Sequence, residues 1–160
     1  MDWTLDDLRE AGLALTADWD GDGKTDQFGY AIRYSLPGAY PTLHLFGAAL
    51  FSQDGRRCSV ADRSSIASLQ WAYDQIHRYR IAPSPAQVER GALEMLRTGR
   101  LAMLRHGFSS LVHLAPIAEE KRELRATLLP KHPTTGKIGT LASGMAYCST
   151  QSIEFASQGY

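Results

Sequence analysis

The chain has 160 residues, of which 44% are apolar and 21% charged, a composition typical of a soluble globular domain with its own hydrophobic core. The net charge is zero, so no broad basic field draws the chain to nucleic acid or to an anionic membrane. The amino terminus, Met-Asp-Trp-Thr-Leu-Asp-Asp, is acidic and has no apolar run, so it does not have the pattern of a secretion signal.

The first third of the chain predicts four elements. Thr4 and Asp7 form a capping-box pattern that begins a helix over residues 5–16. Strand-forming residues follow over 28–34 and end at Leu36-Pro37-Gly38. Pro41 is expected in the first turn of a short helix that reaches Phe46, and a hairpin over residues 50–60 turns at Gln53-Asp54-Gly55.

The rest of the chain alternates helices and short strands. The clearest helix spans residues 64–79, and its expected buried face consists of Ile66, Leu69, Ala72, Tyr73 and Ile76. A helix capped by Ser84 then carries Val88, Ala92, Met95 and Leu96 inward. Further predictions are strands over 101–104, 127–129 and 144–149, a helix over 109–119 and a polar loop over 130–139. This alternation indicates an α/β fold in a single domain over residues 1–160, and the abrupt end at Tyr160 suggests a piece of a larger protein.

The segment Asp-Trp-Asp-Gly-Asp-Gly-Lys-Thr-Asp, residues 18–26, has the ligand order of a calcium-binding loop. Asp18, Asp20, Asp22 and Asp26 take positions 1, 3, 5 and 9, and the Lys24 carbonyl takes position 7, so these five residues are the predicted calcium ligands. Position 12 is Gly29 instead of a glutamate. A turn with solvated carboxylates remains the alternative, and a bound calcium ion would have a structural role.

Other chemistry has weaker support in the sequence. Gly23-Lys24-Thr25 lacks the glycine that a phosphate-binding loop needs five residues earlier, and four carboxylates would repel phosphate. The five histidines form no zinc-binding motif, and no serine lies in a nucleophile elbow. Cys58 and Cys148 are expected as buried thiols rather than as a disulfide. A small hydrolase that uses one cysteine with a histidine stays open as an alternative, as does a calcium-stapled protein-interaction module.

Several segments, taken in order, resemble the family 1 extracellular solute-binding proteins of sugar-type ABC importers. The helix start Trp3-Thr4-Leu5-Asp6-Asp7 resembles their "W-T-W-D-E-F" segment, and the acidic loop with Phe28-Gly29-Tyr30 is similar to "D-x-D-G-D-G-K-x-D-x-Y-G". Residues 46–55 resemble "N-G-G-x-L-F-D-E-D-G", and residues 99–103 resemble "F-x-x-G-K-A-A-M". Residues 129–144 resemble "L-P-x-G-…-G-G-S-G", so the similarity covers nearly the whole chain.

This resemblance implies one lobe of a type II periplasmic-binding-protein-like fold, with a mixed sheet flanked by helices. It implies a binding protein and not an enzyme, an extracytoplasmic parent protein, and an ABC permease as partner of that protein. A sugar or oligosaccharide, neutral or mildly polar, is the implied ligand. The isolated lobe is expected to expose apolar surface and to self-associate.

The implied ligand site lies around Phe108, which occupies the place of the family's usual stacking tryptophan. His106, Ser143 and Gly144 lie in the same motifs, and Tyr40 is a further candidate. The chain departs from the family pattern at Phe46, where asparagine is usual, and at Ala49, where an acidic residue is usual. These departures leave the sugar specificity open.

Overall fold

The computed structural model describes residues 3–33, 35–88, 91–107, 112 and 124–140. The described elements, in chain order, are α1 (Leu5–Leu15), β1 (Phe28–Ala31), α2 (Leu36–Leu45), α3 (Arg63–His77), a 3-10 turn (Pro85–Gln87), α4 (Ala92–Arg97) and β2 (Leu101–Leu104). The two strands pair in parallel, and the three helices α2, α3 and α4 lie in the connection between them. A parallel pair needs such a long crossover, so this arrangement confirms the predicted α/β class. Antiparallel pairing is limited, within these residues, to isolated bridges.

The core has two parts that meet at β1. All four residues of β1 are buried, as is expected of a strand covered on both faces. One cluster comprises Leu5, Leu8, Tyr30 and Leu45, and the other comprises Phe28, Ala31, Met95 and Leu101. The core therefore fixes α1, α2 and α4 against the strand pair.

Local sequence signals are confirmed at two places. The capping box of α1 is formed, because the Thr4 amide donates to Asp7 Oδ2 at 2.7 Å and the Asp7 amide donates to Thr4 Oγ1 at 3.3 Å. The predicted hairpin is present, with Phe51 bridged to Cys58 and the Ser52 amide bonded to the Arg57 carbonyl at 2.8 Å. Both features depend on residues close in sequence, which is why the sequence signals predict them.

Four predicted boundaries are wrong. β1 ends at Ala31 and not at residue 34, and α2 begins at Leu36, so Leu36-Pro37-Gly38 is a helix start and Pro41 lies inside the helix. Pro37 lies in the first turn of α2, where proline is compatible with the amides that have no partner within the helix. The predicted helix after Ser84 is divided into a 3-10 turn and α4, which begins after Gly91 with φ of 86°. Residues 127–129 are irregular and not a strand.

The buried face of α3 differs from the predicted one, of which only Ala72 and Ile76 are half-buried. Ser65, Ser68 and Gln75 are buried, whereas Ile66, Leu69 and Tyr73 are exposed. Two of these polar side chains have a backbone partner: Ser65 Oγ donates to the Ser59 carbonyl at 2.9 Å and Gln75 Nε2 donates to the Trp71 carbonyl at 2.8 Å. Gln75 Oε1 is buried without a hydrogen-bond partner among the described residues. The two bonds make the burial of polar side chains tolerable.

Cys58 is a free, exposed thiol, so the expectation of a buried thiol is wrong for this residue. It lies in an exposed hairpin, where hardly any apolar neighbour covers it. Cys148, the predicted helix over 109–119 and the predicted strand over 144–149 lie outside the described residues, apart from position 112. Among the helices of the described part, none has the length and apolar character needed to cross a bilayer.

Candidate functional site

The strand pair defines one edge at which a ligand site is expected. Ligands of open α/β sheets bind outside the carboxyl ends of the parallel strands. Here β1 and β2 end together, because Ala31 lies opposite Leu104. We call the surface at this end, formed by residues 32–33, the first turn of α2 and residues 105–107, the carboxyl edge.

Two of the five predicted ligand residues fall in the described part of the chain. His106 is exposed and lies two residues after the end of β2. Tyr40 lies on α2, the helix whose first turn is at the carboxyl edge, and its side chain is 38% exposed. Phe108, Ser143 and Gly144 lie outside the described residues. His106 and Tyr40 therefore lie on segments that meet at one edge, which is compatible with a shared ligand.

Arg105 joins β2 to α2 at this edge. Its Nη2 donates to the Gly38 carbonyl, and its Nη1 lies 3.4 Å from Thr42 Oγ1. The side chain is half-buried. Because both partners are uncharged, they orient the guanidinium without neutralising it.

Arg33 reaches the same point from β1. A Cβ placed on Gly38 would lie only 2.3 Å from the Cβ of Arg33, so glycine at position 38 permits this close packing. The guanidinium of Arg105 and the base of the Arg33 side chain thus both meet the first turn of α2 at Gly38. The sequence reasoning missed both arginines. Arg105 directly follows the strand predicted over 101–104, and that position is a usable signal, whereas Arg33 lies inside the strand predicted over 28–34.

Tyr30 lies beneath this edge and is buried in the core. Burial raises the pKa of its phenol, and the positive charge of Arg105 acts in the opposite direction. Tyr30 is therefore a neutral, structural neighbour of the site.

The acidic loop lies at the other end of β1 and is held by its own carboxylates. Asp18 accepts from the amides of Gly21 and Gly23 at 2.8 and 2.9 Å. Asp22 accepts from the Lys24 amide at 2.7 Å. Both glycines have positive φ, 75° and 83°, a conformation that glycine adopts without strain. An antiparallel bridge between Ala17 and Gln27 closes the base of the loop.

Three of the predicted calcium ligands come together in this loop. One oxygen each of Asp18, Asp20 and Asp22 lies within 4.8 Å of the others, and carboxylate oxygens are the donors that calcium prefers. Asp26 is not one of the three carboxylates that come together. Its Oδ2 accepts a hydrogen bond from the Trp19 amide at 2.7 Å. Lys24 places its ammonium 2.8 Å from Asp22 Oδ2, and this contact lowers the pKa of Asp22.

No protein-family model matches the chain, and no curated protein matches it. Solved structures do match. The maltose/maltodextrin-binding domain MalE from Bdellovibrio bacteriovorus, bound to maltotriose, has a TM-score of 0.73 at 23% identity over 88% of this chain and 36% of its own. An ABC transporter solute-binding protein from Thermotoga lettingae, bound with α-D-tagatose, has a TM-score of 0.70 at 19% identity over 86% of this chain and 35% of its own. The GacH receptor of Streptomyces glaucescens, also solved with acarbose, has a TM-score of 0.63 at 15% identity over 84% of this chain and 34% of its own.

The chain therefore has the fold of part of an ABC substrate-binding protein of the MalE-like type, and it spans about a third of the length of these structures. This confirms, at the level of the fold, the resemblance given by the ordered motifs. The structures it matches are binding proteins rather than enzymes.

Proposed function

We propose that the chain is a carbohydrate-binding lobe of the substrate-binding protein of an ABC importer. The observation that carries this proposal is the match of 88% of the chain, at a TM-score of 0.73, to a domain bound to maltotriose. The carboxyl edge offers a site in the place where ligands of this fold class bind. The function is binding, with no covalent step.

The proposed ligand site comprises Phe108, His106, Tyr40, Ser143 and Gly144. Aromatic rings pack on the apolar faces of sugars, and a few polar groups bond the hydroxyls. A single lobe makes roughly half the contacts of a two-lobe cleft, and each tenfold loss of affinity corresponds to about 1.4 kcal/mol. We therefore expect weak, saturable binding in the millimolar range.

NMR shift mapping with a sugar panel that includes maltotriose and tagatose tests this site. Shifts are expected to cluster at residues 106–108 and 143–144, and Phe108→Ala is expected to weaken binding without unfolding the chain. Phe51→Ala is the matched control, because Phe51 is an exposed aromatic on the hairpin. Equal loss of affinity in both variants, or shifts confined to other surfaces, would contradict the proposal.

We also propose that the acidic loop binds one calcium ion as a structural staple, through Asp18, Asp20, Asp22, the Lys24 carbonyl and Asp26. The convergence of the first three carboxylates supports this. Since Asp26 Oδ2 holds the Trp19 amide, its share in the site depends on Oδ1. A chelator is expected to lower the melting midpoint, and an unchanged midpoint with no calcium uptake identifies a simple turn.

Lys24 gives a sharper test of the calcium proposal. Its ammonium forms an ion pair with Asp22 Oδ2 at 2.8 Å, so calcium has to displace the ammonium from this oxygen. Lys24→Gln is expected to tighten calcium binding, whereas Asp20→Asn is expected to weaken it. Calorimetric titration of both variants measures the two effects, and a weaker site in Lys24→Gln would contradict the assignment.

The parent protein, in this proposal, is extracytoplasmic and delivers its ligand to an ABC permease. Support comes from the type of protein that the chain matches in fold. Co-purification of the full-length protein with a permease, enhanced by ligand, tests the partnership.

A further inference from the structure

The two arginines at the carboxyl edge have no acidic partner within the described residues. The ion pairs of that part of the chain join Arg9 to Asp6, Lys24 to Asp22, Arg57 to Asp62 and Arg97 to Glu94. Arg33 and Arg105 take part in none of them, although both side chains are half-buried. A partly desolvated charge without a counter-charge is unfavourable, so an anion at this edge would relieve it.

The backbone adds to the positive potential at the same place. α2 has ten residues, and its first turn contains no acidic side chain. The positive end of its dipole therefore faces the carboxyl edge without compensation. Its capping residue, Ser35, makes no side-chain hydrogen bond to the helix, although its carbonyl accepts from the amides of Gly38 and Ala39 at 2.8 and 2.9 Å. The guanidinium of Arg105 and the Cβ of Arg33 both approach Gly38 at this end of the helix.

The acidic residues of the described chain are occupied or lie elsewhere. The acidic loop precedes β1 and so lies at the opposite end of the strand from Arg33. At the start of α1, Asp6 pairs with Arg9 at 3.0 Å and Asp7 is held in the capping box. Along β1, within the described residues, the acidic loop therefore lies at the amino end and Arg33 and Arg105 lie at the carboxyl end.

We propose that the ligand of the carboxyl edge is an anionic saccharide, such as a uronic acid, whose carboxylate is held by Arg33 and Arg105. This inference rests on the proposed sugar-binding function and replaces the neutral sugar expected from the sequence. A guanidinium binds a carboxylate through two parallel hydrogen bonds, which gives both affinity and direction. Arg105 is held ready by Gly38 and Thr42, so little side-chain entropy is lost when the ligand binds.

The test compares two sugars that differ only at C6, which is a carboxylate in galacturonate and a hydroxymethyl group in galactose. Galacturonate is expected to bind about tenfold more tightly than galactose in NMR titrations at low salt, and added salt is expected to reduce the difference. Arg33→Gln is expected to bring galacturonate to the affinity of galactose. Arg105→Lys, which keeps the charge and loses the fork, is expected to weaken galacturonate alone. Arg63→Gln, an exposed arginine of α3, is the control and is expected to change neither affinity.

The outcomes separate this inference from the proposed function. Equal binding of galactose and galacturonate overturns the inference and leaves the sugar-binding function in place. Binding of neither sugar overturns the inference, and binding of maltotriose or tagatose in the sugar panel then decides whether the proposed function stands. Malonate, a dicarboxylate without a sugar ring, is the last compound to be tested. If malonate binds as tightly as galacturonate, the site binds anions but the proposal that its ligand is a saccharide is wrong. Melting curves of both edge variants establish that a lost affinity is not lost folding.

Discussion

At the scale of single residues, His132 shows how one ring holds a loop on the core. Its Nδ1 accepts from the amides of Thr134 and Thr135, at 3.2 and 3.1 Å. The ring packs edge-on against Phe46, with 4.4 Å between the ring centroids. Nδ1 accepts two hydrogen bonds only when it carries no proton, so the folded loop requires the neutral imidazole.

This requirement predicts a pH-dependent stability. Burial lowers the pKa of His132 below its ordinary value of 6.5, so below that pH the unfolded chain binds the proton more readily than the folded chain. The contribution is complete above the unfolded pKa and is lost as the pH falls through the folded pKa. Melting curves from pH 8 to pH 5 are expected to show the loss, and His132→Asn is expected to flatten the profile. An equally steep profile in the variant would contradict this role.

Gly29 marks the closest approach between α1 and β1. A Cβ on Gly29 would lie 2.1 Å from the Gly12 carbonyl oxygen, a backbone atom that has no room to move. Gly29→Ala is therefore expected to lower the free energy of unfolding by about 2 kcal/mol or more. Gly12→Ala is the matched control: its Cβ would come closest to the terminal Cδ1 of the buried Ile81, at 2.7 Å. Because a side-chain methyl group can shift more than a backbone carbonyl, a smaller loss is expected in chemical denaturation. Equal losses of unfolding free energy in the two variants would show that the contact between Gly29 and the Gly12 carbonyl is not the cause.

At the scale of elements, the end of α3 contains a strained residue. Arg80 has φ of 55°, the only positive value among the described residues other than glycine. It follows the helix terminus, where the amides of Arg78 and Tyr79 both bond to the Asp74 carbonyl. Glycine is the usual residue where a helix ends in this conformation.

Relief of this strain is measurable. Arg80→Gly is expected to raise the free energy of unfolding by about 1 kcal/mol, because glycine adopts positive φ without a steric penalty. Arg80→Ala removes the same charge but keeps the Cβ, and it is expected to give no such gain. If both variants stabilise equally in urea unfolding, the charge and not the backbone is responsible.

The elements differ in how well the sequence predicts them, for a physical reason. α1 and the hairpin are predicted because their signals, a capping box and a turn, are local. The face of α3 is predicted wrongly because Ser65 Oγ and Gln75 Nε2 bond to backbone carbonyls, which hydrophobic periodicity does not reveal. His106, which the motifs name as a candidate ligand residue, lies at the carboxyl edge in the structure. The motifs miss Arg33 and Arg105, whose approach to Gly38 depends on the pairing of two strands far apart in sequence.

At the scale of the whole molecule, α3 presents an apolar stripe to solvent. Ile66, Leu69 and Tyr73 follow helical spacing and are 55%, 49% and 55% exposed. A stripe of this kind in a soluble protein is typical of a contact surface. It gives the self-association expected of the isolated lobe a specific location.

We expect the chain to self-associate through this stripe, with a mean mass in sedimentation velocity that rises with concentration. Leu69→Asp places a charge at the centre of the stripe and is expected to keep the chain monomeric. Leu13→Asp is the matched control, because Leu13 is 48% exposed on α1, and it is expected to behave as the unmodified chain does. A constant monomer mass for the unmodified chain would contradict the prediction. A dimer that persists in Leu69→Asp would contradict the role of the stripe. It would favour a dimer formed by exchange of the carboxyl-terminal segment between two chains, which does not depend on the α3 surface.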